Sequence, residues 1–232
     1  MPHRTALIIR HVPYEGVAGF RAPIEAAGYG VDRIDVSDAS FPDVDLTEPD
    51  LVIMMGGPMG VYEREAHPWI ACQLRRLARR LEADRPTLGV CFGAQMMAAA
   101  LGAEVYPGPR PEVGWHPVAI HDPAGPLRHL VQIPVLHWHG DTFAPPPGCE
   151  ILAASEAYAH QAFRRGPNLL ALQFHAEMGL DPRYQAWLDE GGAMMAAAGT
   201  DPETMQARHA ALGPAAVAAG QATIAEWLEG LG

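Results

Sequence analysis

The sequence contains no lysine: all 16 of its basic side chains are arginine. That excludes a lysine Schiff base, a pyridoxal phosphate anchor and a P-loop lysine, so chemistry in this chain runs without a side-chain amine. Cysteine is scarce as well. Cys72, Cys91 and Cys149 form an odd, widely spaced set with no Cys-x-x-Cys pair, which speaks against a disulfide framework, a dithiol redox motif and a zinc knuckle. No run of about 18 uncharged apolar residues occurs, and Met1-Pro2-His3-Arg4 leads into the first apolar stretch without a cleavable signal pattern. A cytoplasmic protein with no membrane partner is expected. Positive charge is in deficit: 27 acidic against 16 basic residues gives a net charge of -11, which repels phosphate backbones and argues against nucleic acid as a partner. Apolar residues are plentiful, at 49% of 232, enough to bury one substantial core.

Thr5 to Val12 reads as a buried strand, a helix closes near Ala26-Ala27-Gly28, and a second strand follows around Gly30 to Val36, making one βαβ unit. Asp50 to Met55 is a third strand that runs into the glycine turn Gly56-Gly57-Pro58. Ile70, Leu74, Leu77 and Leu81 recur at helical spacing, which predicts a helix with Arg75, Arg76, Arg79 and Arg80 on its solvated face. A fourth strand then ends at Cys91. This alternation predicts an α/β fold on a doubly wound, mostly parallel sheet. After Gly102 come shorter runs at Glu104 to Tyr106, Val118 to Ile120, Val135 to Trp138, Ile151 to Leu152 and Leu169 to Phe174, expected to add antiparallel strands. From Tyr184 onward two or three closing helices are expected, broken at Gly-Thr-Asp-Pro and at Leu-Gly-Pro. The expected division is a core over 1–180 and a C-terminal helical extension over 181–232 packed on the same domain.

The segment Gly89-Val90-Cys91-Phe92-Gly93 has the form Gly-x-Cys-x-Gly between a strand and a helix-forming run. Such a nucleophile elbow forces strained backbone angles on its central residue, and the flanking glycines remove side chains that would collide there. The thiol is held at the carboxyl edge of a sheet and over a helix N-terminus, whose dipole favours thiolate. A buried apolar cysteine after a strand is the plainer alternative, and its partners decide between them. Leu170 to Phe174 is an apolar strand that ends in His175-Ala176-Glu177, and residues two apart in extended backbone project to one side. Cys91, His175 and Glu177 thus supply a nucleophile, a base to carry its proton, and a carboxylate to orient that base. Acyl transfer also needs two backbone N–H groups aimed at the developing oxyanion. Phe92, the residue after the nucleophile, offers one, and Gly57 in the glycine turn of the neighbouring third strand offers the other. The same turn is a weak phosphate cradle, because Pro58 removes a donor and the Gly-x-Gly-x-x-Gly spacing is absent.

With these motifs in hand, the chain resembles a class I glutamine amidotransferase of the type that forms the glutaminase domain of GMP synthase. The likeness rests on Gly-Val-Cys-Phe-Gly-Ala-Gln, Gly-Gly-Pro-Met-Gly-Val-Tyr, Trp138-His139-Gly140-Asp141 and Gln173-Phe174-His175-Ala176-Glu177, in the family's order, and covers most of Asp50 to Glu177. It implies a flavodoxin-like core over 1–180, a Cys91-His175-Glu177 triad, and hydrolysis of the glutamine side-chain amide through a γ-glutamyl thioester, with no cofactor. It further implies that Gln95 and the backbone around His139 and Gly140 hold the substrate, with Glu112 in a Glu-x-Gly segment lining the same pocket. Two positions depart from the family's pattern. Ala176 stands where proline is usual, which removes no reacting group. Trp138 replaces a serine of the synthase-type motif, and its indole is expected to reshape which γ-glutamyl compound fits.

His137-Trp138-His139-Gly140-Asp141 also has the spacing of zinc hydrolases. Those sites continue with another histidine, whereas position 142 is threonine, so no metal is expected. His11, His116, His121, His129 and His160 lack paired spacing, and Cys72 and Cys149 lack an elbow. A dienelactone-type cysteine hydrolase places its acid before the histidine, unlike Glu177, and a binding module has no need of all three triad groups. Two readings share every catalytic residue: a glutaminase passing ammonia to a separate synthetase, and a free-standing hydrolase of γ-glutamyl peptides or conjugates.

Overall fold

The computed structural model describes residues 4–232; Met1 to His3, on which the reading of the amino end partly rests, lie outside the described residues. In chain order the elements are β1 (Arg4–Arg10), α1 (Arg21–Ala26), β2 (Tyr29–Asp35), β3 (Leu51–Met54), α2 (Trp69–Glu82), β4 (Thr87–Val90), α3 (Phe92–Ala100), β5 (Val105–Pro117), β6 (Ala119–Ile120), β7 (Pro134–Phe143), β8 (Glu150–Ala154), β9 (Ala162–Arg165), β10 (Leu169–Leu172), α4 (Tyr184–Glu190), α5 (Gly192–Ala197) and α6 (Pro202–Glu229). The main sheet has the order β2-β1-β3-β4-β10-β9-β8-β6. Its first five strands are parallel and the other three antiparallel. This is the expected α/β architecture.

Both faces of the sheet are covered. On one, Ile24 of α1 and Ile224 and Leu228 of α6 pack against Ile8, Ile53, Leu88 and Leu170. On the other, Leu77 and Leu81 of α2 and Met96 and Met97 of α3 pack against Ile9, Val52 and Leu169. Strands covered on both sides are continuously apolar, and that explains why Leu169–Leu172 departs from the antiparallel expectation. All four of its residues are buried, and β10 runs parallel to β4, with Leu170 opposite Leu88, while only its other edge is antiparallel, to β9. Glu104 to Tyr106 and Val135 to Trp138 leave the main sheet altogether. They fall at the start of β5 and in β7, which pair as a separate antiparallel ribbon.

Two further expectations change. Leu212-Gly213-Pro214 does not end a helix: α6 passes through Pro214 unbroken. At that turn Gly213 lies so close to Gly179 that a Cβ on either would overlap the other's backbone. The arginine face of α2 is only half solvated. Arg75 and Arg79 are exposed, but Arg80 is fully buried. Its guanidinium donates to the carbonyls of Leu46 (2.5 Å), Pro49 (2.8 Å) and Pro86 (2.5 Å), and Arg76 donates to those of Phe41 (2.5 Å) and Val44 (2.7 Å). Leu46, Pro49, Phe41 and Val44 lie in the irregular segment between β2 and β3, outside the sheet ladder, and the five-donor guanidinium groups supply hydrogen bonds there. No helix among the described residues is long and apolar enough to cross a membrane.

Candidate active site

β4 ends at Val90 and α3 begins at Phe92, so Cys91 alone makes the turn, at φ 53° and ψ -112°. A non-glycine residue held there costs on the order of 1–3 kcal/mol. The flanking glycines make the turn possible: a Cβ on Gly89 would stand 2.7 Å from the Gly93 carbonyl oxygen, and one on Gly93 would overlap the Met54 carbonyl of β3. Hydrogen bonds from Cys91 N–H to Leu172 O (2.8 Å) and from Gln95 N–H to Cys91 O (3.1 Å) fix the elbow to β10 and to the first turn of α3.

Past β10 the chain brings His175 to the same edge, where its N–H donates to Leu136 O of β7 at 2.8 Å. His175 Nδ1 lies 2.7 Å from Glu177 Oε1, with both side chains 1% exposed. His175 Nε2 has no hydrogen-bond partner among the described residues, and the Cys91 thiol reaches the Trp138 carbonyl at 3.8 Å, yet imidazole and sulfur are near enough for each to shift the other's pKa. Burial works against the His175 cation, but the Glu177 carboxylate, a Cys91 thiolate and hydrogen bonds to both outweigh it and hold the pKa well above the usual imidazole range. The sulfur departs from expectation. Burial pushes the Cys91 thiol up, the charge and hydrogen bond of His175 pull it down less strongly, and Glu15 adds to the upward push. The helix N-terminus therefore does not by itself ionise this thiol.

Cys91 is 5% exposed at the wall of a cavity of about 310 Å³, which Gly57, Gln95, Trp138, His139 and Gly140 also line. β3 neighbours β4, which brings the glycine turn beside the elbow. The Phe92 N–H makes a hydrogen bond that helps the Cys91 thiolate. Gln95 is buried and its amide donates to Gln173 Oε1 (3.2 Å). Glu112 is not among the lining residues. Its Oε2 accepts from Gln161 Nε2 at 2.6 Å and lies 3.0 Å from His139 Nε2 and 3.2 Å from His137 Nδ1. This tight set of acceptors and donors draws Glu112 away from the cavity, into the space behind β7. The third group beside His137 and His139 is thus a carboxylate rather than another histidine, and the three ligand-type atoms lie within 4.8 Å of one another.

Several site residues carry no sequence signal. Trp187 of α4 stacks edge-on against His175 (4.7 Å between centroids) and Trp138 (5.7 Å), closing the cavity from the C-terminal helices. His11 is buried beneath the glycine turn, with Nδ1 donating to Met55 O (2.8 Å) and Nε2 accepting from Gln73 (3.0 Å). Burial lowers its pKa to about 4, so it is a neutral strut. Glu15, from the segment after β1, is 7% exposed, lines the cavity, and has an Oε2 with no hydrogen-bond partner among the described residues. A pattern search for paired carboxylates or capping residues finds none of these three, since each reaches the site from a distant segment.

Comparison with known proteins agrees with this geometry. The family model described as glutamine amidotransferase class-I matches residues 24–194. The glutamine amidotransferase-like protein YfeJ of Salmonella typhimurium is 28% identical over 182 residues, covering 74% of each chain. A glutamine-hydrolysing GMP synthase of Thermomicrobium roseum is 35% identical over 58% of this chain, which spans only 24% of that relative's length. Among solved structures, a glutamine amidotransferase of Thermotoga maritima superposes with a TM-score of 0.86 at 28% identity, covering 99% of this chain and all of the other. The chain belongs to the class-I glutamine amidotransferase family.

Proposed function

We propose that this chain hydrolyses the side-chain amide of glutamine, or of a related γ-glutamyl amide, through a thioester on Cys91. The observation that carries the reading is that Cys91 stands at the wall of a cavity lined by Gly57 and Gln95, with His175, paired to Glu177, near enough to act on the thiol. In the proposed reaction His175 Nε2 takes the proton from Sγ as sulfur attacks the amide carbon. Glu177 on Nδ1 fixes the tautomer and stabilises the imidazolium. The N–H groups of Gly57 and Phe92 receive the oxyanion, and the imidazolium returns its proton to the leaving nitrogen. Water then attacks the thioester with His175 as base, releasing glutamate.

The glutamine-hydrolysing GMP synthase relatives support a separate synthetase as acceptor of the ammonia. Trp138 and Trp187, which pack edge-on against each other in the cavity wall, favour instead hydrolysis of a γ-glutamyl conjugate. The test is incubation with glutamine and a set of γ-glutamyl amides, following glutamate and amine release and trapping the acyl-enzyme by mass spectrometry. The expected result is a γ-glutamyl adduct on Cys91 and loss of turnover in Cys91→Ala with the fold intact. Full activity in Cys91→Ala sinks the reading.

A further inference from the structure

The cavity holds an unusual balance of charge. Glu15, Glu63, Asp141 and Glu190 all line it, no arginine does, and the chain contains no lysine. The acids fall at two ends. At one, Asp141 accepts from Tyr62 (3.3 Å), with Glu63 close enough to raise its pKa, and Gln95 reaches the Asp141 carbonyl. At the other, Glu15 and Glu190 both bear on Tyr14, whose carbonyl accepts from Trp187 Nε1 (3.4 Å). Glu15 is also tied to the triad. A Cβ on Gly56 would overlap Glu15 Oε2 and stand 3.2 Å from His175 Cε1, so carboxylate and imidazole flank the same point.

Resting on the hydrolase reading above, we propose that Glu15 recognises a cationic leaving group, and that the preferred substrates are γ-glutamyl amides of diamines, whose distal ammonium sits against Glu15. A buried, unpartnered carboxylate oxygen is one of the costliest groups a protein can hold, and a cation is its natural partner. The balance is ordinary hydrolysis. The Sγ–carbon bond forms as the carbon–nitrogen bond breaks, and His175 carries the proton from Sγ to the leaving nitrogen. Water then splits the thioester into glutamate and the free thiol. The distal ammonium is unchanged and leaves with the diamine. Tyr14 and Trp187 line the path of its methylene chain.

The test measures kcat/KM for γ-glutamyl amides of 1,2-diaminoethane, 1,3-diaminopropane and 1,4-diaminobutane against neutral alkyl amides of equal length, with glutamine and γ-glutamylglycine alongside. At the best chain length the diamine amide exceeds its neutral counterpart at least tenfold, and the anionic γ-glutamylglycine is slowest. In Glu15→Gln the diamine-to-neutral ratio collapses toward one. Equal rates for charged and neutral amides in the wild type, with Cys91-dependent turnover, overturn this inference and leave the hydrolase reading standing. A ratio unchanged in Glu15→Gln overturns the role of Glu15. Absence of turnover and of Cys91 acylation with every amide overturns both readings.

Discussion

Glu15→Gln should make the protein more stable, and by an amount that depends on pH. The Glu15 carboxyl is raised from 4.5 to about 7, because burial disfavours its charge and Glu177 repels it, against the attraction of His175. The folded state therefore holds this proton more tightly than the unfolded state does. Stability from Glu15 is greatest below pH 4.5, falls as pH rises through about 7, and is lost above that. At about 1.4 kcal/mol per pH unit, the whole cost of the ionised carboxylate comes to about 3 kcal/mol. The side chain is 7% exposed, so solvent screening takes little from this figure. An amide at position 15 does not titrate, so the pH-dependent part of the difference is dominated by the Glu15 proton. Wild type and Glu15→Gln should thus come closest near pH 4, and the variant should gain up to about 3 kcal/mol by pH 8.5, or roughly 6–12 °C in Tm for a chain of this size. Urea and thermal melts of both proteins across pH 4 to 9 measure the difference. A gap that stays constant with pH, or a variant less stable at pH 8.5, refutes the argument that Glu15 is an uncompensated buried acid.

Glu177→Gln removes the charge that raises the His175 pKa, so kcat should fall on the order of 10³–10⁴-fold with KM little changed, and the limb of the pH–rate profile that belongs to His175 should move to lower pH. A profile limb that stays in place rejects the pairing. Gly93→Ala drives a Cβ into the Met54 carbonyl, a backbone atom that cannot swing aside, and should cost about 3 kcal/mol or more. Gly192→Ala, with nothing within 4 Å of its Cβ, should be neutral or stabilising by about 0.5 kcal/mol in α5; urea midpoints of the two variants compare them directly.

The parts of the site that are legible in the sequence are those encoded by local geometry. Gly89-x-Cys91-x-Gly93 announces its own backbone strain, and His175-x-Glu177 announces a shared side of extended chain. Gly57 follows from strand order, since β3 pairs with β4. What stays hidden depends on contacts between remote segments. Arg80 has helical spacing like Arg79 one position earlier, and only the unpaired carbonyls of Leu46 and Pro49 decide that one is buried and the other solvated. Glu112 sits in the expected Glu-x-Gly segment, yet His137, His139 and Gln161 draw its carboxylate behind β7 rather than into the cavity. Proline at 214 reads as a helix end because it lacks an N–H. The close approach of Gly213 to Gly179 is what packs α6 across that point, and no pattern within α6 reveals it.

Glu15 is the sharpest case of this limit, and it links stability to function. Nothing near it in sequence distinguishes it from a surface acid, because its cost arises from burial against Gly56 and from the Glu177 charge, which come from the segments after β3 and β10. In the free protein that cost grows as the carboxylate ionises, and it lowers the tendency of Cys91 to ionise as well. A cation seated against Glu15 reverses both effects. It stabilises the carboxylate, and it offsets the part of the upward push on the Cys91 thiol that comes from Glu15, a smaller part than burial supplies. On the proposed reading, the same buried charge that weakens the fold near neutral pH also disfavours the Cys91 thiolate, so a cationic leaving group seated against Glu15 relieves both at once.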